Sequence, residues 1–257
     1  MMTIKGLVTD SQKHQVSLLP WQRSAIDLFD HKLKDTDRPF PCIPATQGHS
    51  LGQFCYGFVS DPRSSESTKD LAGLLRDYSA KYRDLGKYTS LIVFFETPEE
   101  LKTQYTVEEF EELFWKQLNG LGELDECEWP ENIPIDPHDP VWEFCFNQEK
   151  LFMYCGTPAH TNRLSRNFPY FVLAITPRWV LEEFNANPHL AGKIKTKIRE
   201  RIEKYDSIPV HPDLNSYGKE DNYEWKQYFL HDDDTSLSKC PFHRFLGKFG
   251  FKKKDRF

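Results

Sequence analysis

A polar segment set between two apolar runs holds the groups best suited to chemistry. Over 152–175 the chain reads FMYCGTPAHTNRLSRNFPYFVLAI, with His160, Arg163, Ser165 and Arg166 between the flanks. A neutral imidazole can ligate a metal or a haem iron. The two arginines that follow carry the fork geometry that pairs carboxylates or phosphates. Strand ends would give all four a stiff support. The same residues also fit an ordinary hydrogen-bonded loop histidine with solvent-facing arginines. Cys42, fixed between Pro41 and Pro44, is the second candidate. A thiol there suits a haem ligand or a nucleophile, and equally a small buried hydrophobe. Further on, Glu220, Asp221 and Glu224 lie where they can receive a cation or face water. His231 and the three aspartates after it lack a spaced ligand set and the glycine of a calcium loop, which assigns them to the surface.

Composition removes several function classes. With 39% hydrophobic and 28% charged residues the chain reads as globular rather than disordered. A net charge of −6 disfavours nucleic acid and anionic membrane as partners. No apolar run approaches the length of about 20 residues that spans a bilayer. The start, MMTIKGLVTDSQKHQ, has no apolar signal core. A cytoplasmic setting with reduced thiols is therefore expected for the six cysteines. Neither C-x-x-C nor H-E-x-x-H occurs, so common zinc signatures are missing. Twenty phenylalanines would suit a flat hydrophobic ligand, or plain core packing.

The elements that must position these groups follow from periodicity. Trp21, Ala25, Phe29 and Leu33 repeat every four residues behind Pro20, which predicts a helix. DRPFPCIPATQGHSLG reads as rigid irregular backbone, neither helix nor central strand. FCYGFV and LIVFF read as buried strands, and the stripe from Leu71 to Leu85 between them as an amphipathic helix ended by Gly86. Thr106 and Glu109 form a capping box ahead of a helix carrying Phe110, Phe114 and Leu118. WEFCF and KLFMYC, joined by a short turn, predict a β-hairpin, and 170–175 a fifth strand. Helices follow from Pro177 and again through Ile194, Ile198 and Ile202, the second with a basic, solvated face. Beyond Pro212 the chain turns polar. The expected fold is α+β (mixed α/β): one domain over 1–257, with an N-terminal helix, a central and mainly antiparallel sheet of about five strands, and a polar C-terminal tail.

Taken together, RPFPCIPATQG, FCYGFVSDPRS, SLIVFFE, WEFCF, TPAHTNRLSRNFPYFVLAI and WKQYFL resemble the YqcI/YcgG family, in order and over roughly Asp37 to Leu230. The resemblance implies a haem-dependent N-oxygenase that hydroxylates a guanidine or amine nitrogen of arginine or a related small molecule. It places the family's proline–cysteine element on Pro41 and Cys42, and its histidine followed by a serine–arginine pair on His160, Ser165 and Arg166. His160 is then the expected axial ligand of a b-type haem, with Cys42 as the alternative. Arg163 and Arg166 would be propionate partners. Glu143, Glu220, Asp221 and Glu224 are the candidate acceptors for a cationic substrate. O2 would be co-substrate. Electrons would come from an external donor protein or reductant, since no G-x-G-x-x-G fingerprint is present. A homodimer is admitted. A haem carrier or sensor without turnover, and a non-haem anion-binding protein, are the competing readings.

Overall fold

A computed structural model describes residues 6–243, so both ends of the expected domain span lie outside the described residues. The chain starts with β1 (Val8–Thr9) and α1 (Pro20–Lys34), which opens on a proline where the missing N–H breaks no bond. The proline-rich stretch is not irregular throughout: it holds α2 (Ile43–Ser50). Pro44 sits in the first turn of that helix, the one place where proline favours helix instead of ending it. β2 (Phe54–Val59) follows, then α3 (Ser65–Ser79), capped by the Ser64 side chain accepting from the Glu66 N–H. The short α4 (Tyr82–Leu85) completes that apolar stripe up to Gly86, whose φ of +116° only glycine adopts readily.

After β3 (Ser90–Phe95) and α5 (Glu99–Gln104) comes α6 (Val107–Leu124) with the expected capping box. The Thr106 N–H donates to Glu109 Oε2 at 2.8 Å, and the Glu109 N–H to Thr106 Oγ1 at 3.2 Å. β4 (Phe144–Phe146) and β5 (Glu149–Gly156) form the hairpin. Its two turn residues, Asn147 and Gln148, take φ of 53° and 62°, as a type I′ turn requires. β6 (Val172–Pro177), α7 (Arg178–Asn185), α8 (Pro188–Tyr205) and α9 (Glu224–Tyr228) complete the order.

The strands form one mixed, mostly antiparallel sheet in the order β1-β2-β3-β6-β5-β4, with β2 and β3 the parallel pair. The sixth strand, beyond the five expected, is β1, whose two residues are too few to leave a periodic signal. Side chains alternate across the pleat. Cys55, Val59, Leu91, Val93 and Phe95 face α3, α6 and α9 on one side. Tyr56, Phe58, Ile92 and Phe94 face α1 on the other. With both faces covered, β2 and β3 carry unbroken apolar runs instead of an alternation with polar residues. No helix among the described residues is long and apolar enough to cross a membrane.

Candidate functional site

The α1 side of the sheet is not filled completely. A cavity of about 330 Å³ remains there, within the size range of small-molecule sites. Phe54, Ile92, Tyr154, Val172, Ala174 and Thr176, every second residue of their strands, form its floor. Phe29 and Phe40 from the α1–α2 side and Phe184 from α7 supply aromatic walls. Into this apolar space face a few polar side chains, among them Cys42, Lys32, Arg178, Tyr217 and Glu224.

One end of the cavity is an ionic cluster. Arg178, the first residue of α7, donates from Nε to both Glu143 carboxylate oxygens at 2.7 Å and from Nη2 to Glu224 Oε1 at 2.5 Å. Its guanidinium lies 3.8 Å from the centre of the Tyr217 ring. Glu224 Oε2 accepts from Asn222 at 3.2 Å and Gln227 at 3.3 Å. One cation is thus shared by two carboxylates. Pairing with both holds Arg178 well above the usual arginine range, against the opposing effect of its burial. Burial, with Glu224 repelling, pushes Glu143 up to about 7 against the pull of Arg178. With both acids ionised the cluster carries a net negative charge, which a bound cation would offset. Of the four carboxylates expected to hold substrate, Glu224 alone lines the cavity. Glu143 is fully buried behind Arg178, while Glu220 and Asp221 are exposed on the preceding loop.

Cys42, just ahead of α2, is only partly buried because its thiol side borders the cavity. Desolvation pushes that thiol up, opposed by the Ala45 backbone N–H and the charge of Arg166. Lys32 reaches the cavity wall from α1 and donates to the carbonyls of Leu164 at 2.9 Å and Asn167 at 2.8 Å.

The 160–166 segment does not join this cavity, and its expected role is corrected. The His160 Nε2 lies 2.8 Å from the Leu230 carbonyl, which can only accept, so Nε2 carries the ring proton. Nδ1 then accepts from the Thr157 hydroxyl at 2.8 Å. No lone pair is left for iron. Burial also pushes His160 down to about 4, keeping it neutral at ordinary pH. Arg163 donates to the carbonyls of Pro209, His231 and Asp233 and to the Asp234 carboxylate, so it is no propionate partner. Arg166 donates to the carbonyls of Cys155, Gln227 and Tyr228, over the Tyr154 ring. Ser165 donates to Asp206 through its N–H and its hydroxyl. These four side chains form a clasp that ties the β5–β6 connection to the C-terminal segment and the end of α8. Asp233 and Asp234 are exposed, as the surface assignment expects, whereas His231 and Asp232 belong to the same clasp. Asp232 accepts the N–H groups of Thr161, Asn162 and Arg163, and buried His231 pairs with Glu111 at 2.7 Å.

Tyr217 read only as part of a polar turn after His211 and Pro212, while Arg178 and Lys32 escaped the sequence reading. Lys32 was within reach of it: it lies three residues after Phe29, beside the apolar stripe of α1. Arg178 stands directly after the strand-ending Pro177, a position that reads only as the start of a helix.

Comparison with known proteins bears on this geometry. The YqcI/YcgG family signature matches residues 29–243. The uncharacterized protein YqcI of Bacillus subtilis (strain 168) is 45% identical over 247 residues, which is 96% of this chain and 97% of that one. The uncharacterized protein YcgG of the same strain is 46% identical over 241 residues, 93% and 95% of the two chains. The Streptomyces lavendulae protein named "Putative N(omega)-hydroxy-L-arginine synthase DcsA" is 31% identical over 228 residues, 86% of this chain and 84% of its own. No solved structure matches.

Proposed function

The chain belongs to the YqcI/YcgG family, and from that membership and its cavity we propose that it is a haem-dependent N-oxygenase acting on a guanidine or amine nitrogen of a small molecule such as arginine. The observation that carries the reading is one aromatic-walled cavity bordered by a thiol, Cys42, and by an acid-rich cluster built on Arg178. The relative named for N-hydroxyarginine synthesis supplies the precedent for the reaction class.

The residues present fit a haem. Phe29, Phe40, Phe54, Phe152, Phe168 and Phe184 offer flat apolar surface for a planar ring. Cys42 is the candidate ligand in place of His160, since metal binding deprotonates a thiol that burial alone would keep neutral. No C-x-x-C-H is present, so the haem would be b-type. When bound, haem supplies the activation of O2 that side chains lack.

The chain's own groups do the rest. The Glu224 carboxylate accepts N–H donors of the substrate's cationic head, while Asn222 and Gln227 hold it in place. Both Glu143 oxygens accept from Arg178 Nε while Glu224 takes Nη2, so the guanidinium stays fixed between the acids. The aromatic walls exclude water, which strengthens each of these polar contacts. In the overall reaction one oxygen atom of O2 ends on the substrate nitrogen. The other leaves as water, using two electrons and two protons from an external reductant or donor protein.

The test is a haemin titration of the wild type, Cys42→Ala and His160→Gln, followed by addition of L-arginine. A Soret band in the wild type and His160→Gln, displaced in Cys42→Ala and moved by arginine, is the expected result. A band indifferent to arginine, agmatine and other guanidines would leave a carrier or sensor. Failure of every protein to take haemin would end the haem reading.

A further inference from the structure

The cavity has a second polar end that nothing in the substrate reading uses. Lys32 is half-buried in the α1 wall, and its Nζ lies 5.6 Å from the Phe40 ring centre and 5.4 Å from that of Tyr205. An ammonium has three hydrogens. Two of them go to the carbonyls of Leu164 and Asn167, and among the described residues no protein acceptor takes the third. Leu164 and Asn167 precede β6, whereas Arg178 follows it. The two polar ends therefore lie toward opposite ends of that strand.

Their charges are opposite. Around Lys32 stand the cation of Arg38 and the carboxylate of Asp206, which leaves this end net positive. Asp206 is in turn held by Ser165, through both its N–H and its hydroxyl, so it does not neutralise the ammonium by direct contact. Burial pushes Lys32 down to about 8, so the amine stays mostly protonated at neutral pH with carbonyls but no carboxylate in direct contact. A partly desolvated cation with no counter-charge in contact is costly unless something offsets it.

We propose that Lys32 is the carboxylate anchor of this cavity: its third N–H takes a carboxylate of the bound ligand, at the end opposite the Glu224 cluster. The inference rests on the reading of this cavity as the ligand site, though not on haem. Two carboxylates have the right chemistry, a haem propionate and the α-carboxylate of an amino-acid substrate.

The experiment compares each acid with a neutralised or decarboxylated counterpart in wild type, Lys32→Met, Lys32→Gln and Lys32→Arg. Haemin is titrated against its dimethyl ester by absorbance. L-Arginine is compared with agmatine, and 3-phenylpropionate with 3-phenylpropionamide, by calorimetry. The wild type should favour at least one acid by about tenfold, the range of a charge-assisted hydrogen bond. Lys32→Met and Lys32→Gln should lose that preference, and Lys32→Arg should keep most of it. The glutamine amide can still serve the Leu164 and Asn167 carbonyls, which guards against a variant that fails to fold. Loss confined to the haemin pair identifies a propionate, and loss confined to the arginine pair a substrate carboxylate. If no protein takes haemin yet the arginine or phenylpropionate preference depends on Lys32, the haem reading falls and the anchor stands. An acid preference that survives in Lys32→Met, or a wild type that favours none of the three acids, overturns the proposal.

Discussion

Replacing Glu143 by glutamine isolates the electrostatic strain in the ionic cluster. In the fold this carboxyl titrates near 7 instead of its ordinary 4.5, because burial and the neighbouring Glu224 outweigh the pull of Arg178. The folded chain therefore binds a proton more tightly than the unfolded chain does. Its stabilising contribution is complete below about pH 4.5 and is lost as pH rises through 7. The size of that loss is about 3 kcal/mol, at roughly 1.4 kcal/mol for each tenfold change in proton affinity. Glu143 is fully buried, so solvent screening does not reduce it much. The wild type alone would hide this effect. His160 titrates near 4 in the fold against an ordinary 6.5, so its contribution runs the other way and is lost as pH falls over an overlapping window. The difference between wild type and Glu143→Gln cancels His160 and every other shared group. Urea unfolding of both proteins from pH 5 to pH 8.5 supplies that difference. Glu143→Gln should gain on the wild type by about 3 kcal/mol across the range, with most of the change between pH 5 and 7.5. Two parallel stability curves would refute the reasoning, since they would mean that Glu143 ionises as readily inside the fold as outside it.

Two further outcomes follow from the clasp. His160→Gln removes a buried ring bonded at both nitrogens, and should cost about 1–3 kcal/mol of stability. It should also abolish the loss of stability between pH 6.5 and 4 assigned to His160, as urea midpoints at a series of pH values would show. Arg163→Met leaves the carbonyls of Pro209, His231 and Asp233 without their donor, and should cost about 1–3 kcal/mol for each one that stays unsatisfied. Hydrogen exchange should then rise first in 230–234, because these residues are held to the β5–β6 connection through that guanidinium and the Asp232 carboxylate.

Much of the fold could be read from the sequence because its signals are local. The capping box at Thr106, the apolar runs of β2 and β3 and the hairpin at Asn147–Gln148 each depend on residues within a few positions of one another. α2 was missed for a local reason too: prolines are counted as helix breakers, and only their place in the first turn reverses that rule. The site resists such reading. Cys42 and Glu224 stand among the sequence candidates, but that they border one cavity with Lys32 and Arg178 depends on contributions from both halves of the chain around one face of β6. A single strand or helix therefore carries no sign of the cavity.

The 160–166 segment shows why residue type alone misassigns chemistry. A histidine, a serine and two arginines in a strand connection have the donors and acceptors that a cofactor needs. They are the same donors and acceptors that an irregular connection needs for its own buried backbone. What separates the two uses is where the partners lie. The Leu230 carbonyl stands seventy residues beyond His160, and Arg163 reaches His231 over almost the same interval. No spacing rule within the segment reports that the C-terminal strap returns to this place and fills every ring nitrogen and guanidinium edge it meets. Arg178 and Lys32 present the opposite case. Arg178 is buried and Lys32 half-buried, yet Arg178 shares one charge between two acids and Lys32 has carbonyls alone for its hydrogen bonds. Both groups border the same cavity, so their unmatched charge faces the space where a ligand would sit, whereas the clasp residues spend theirs on the chain's own backbone.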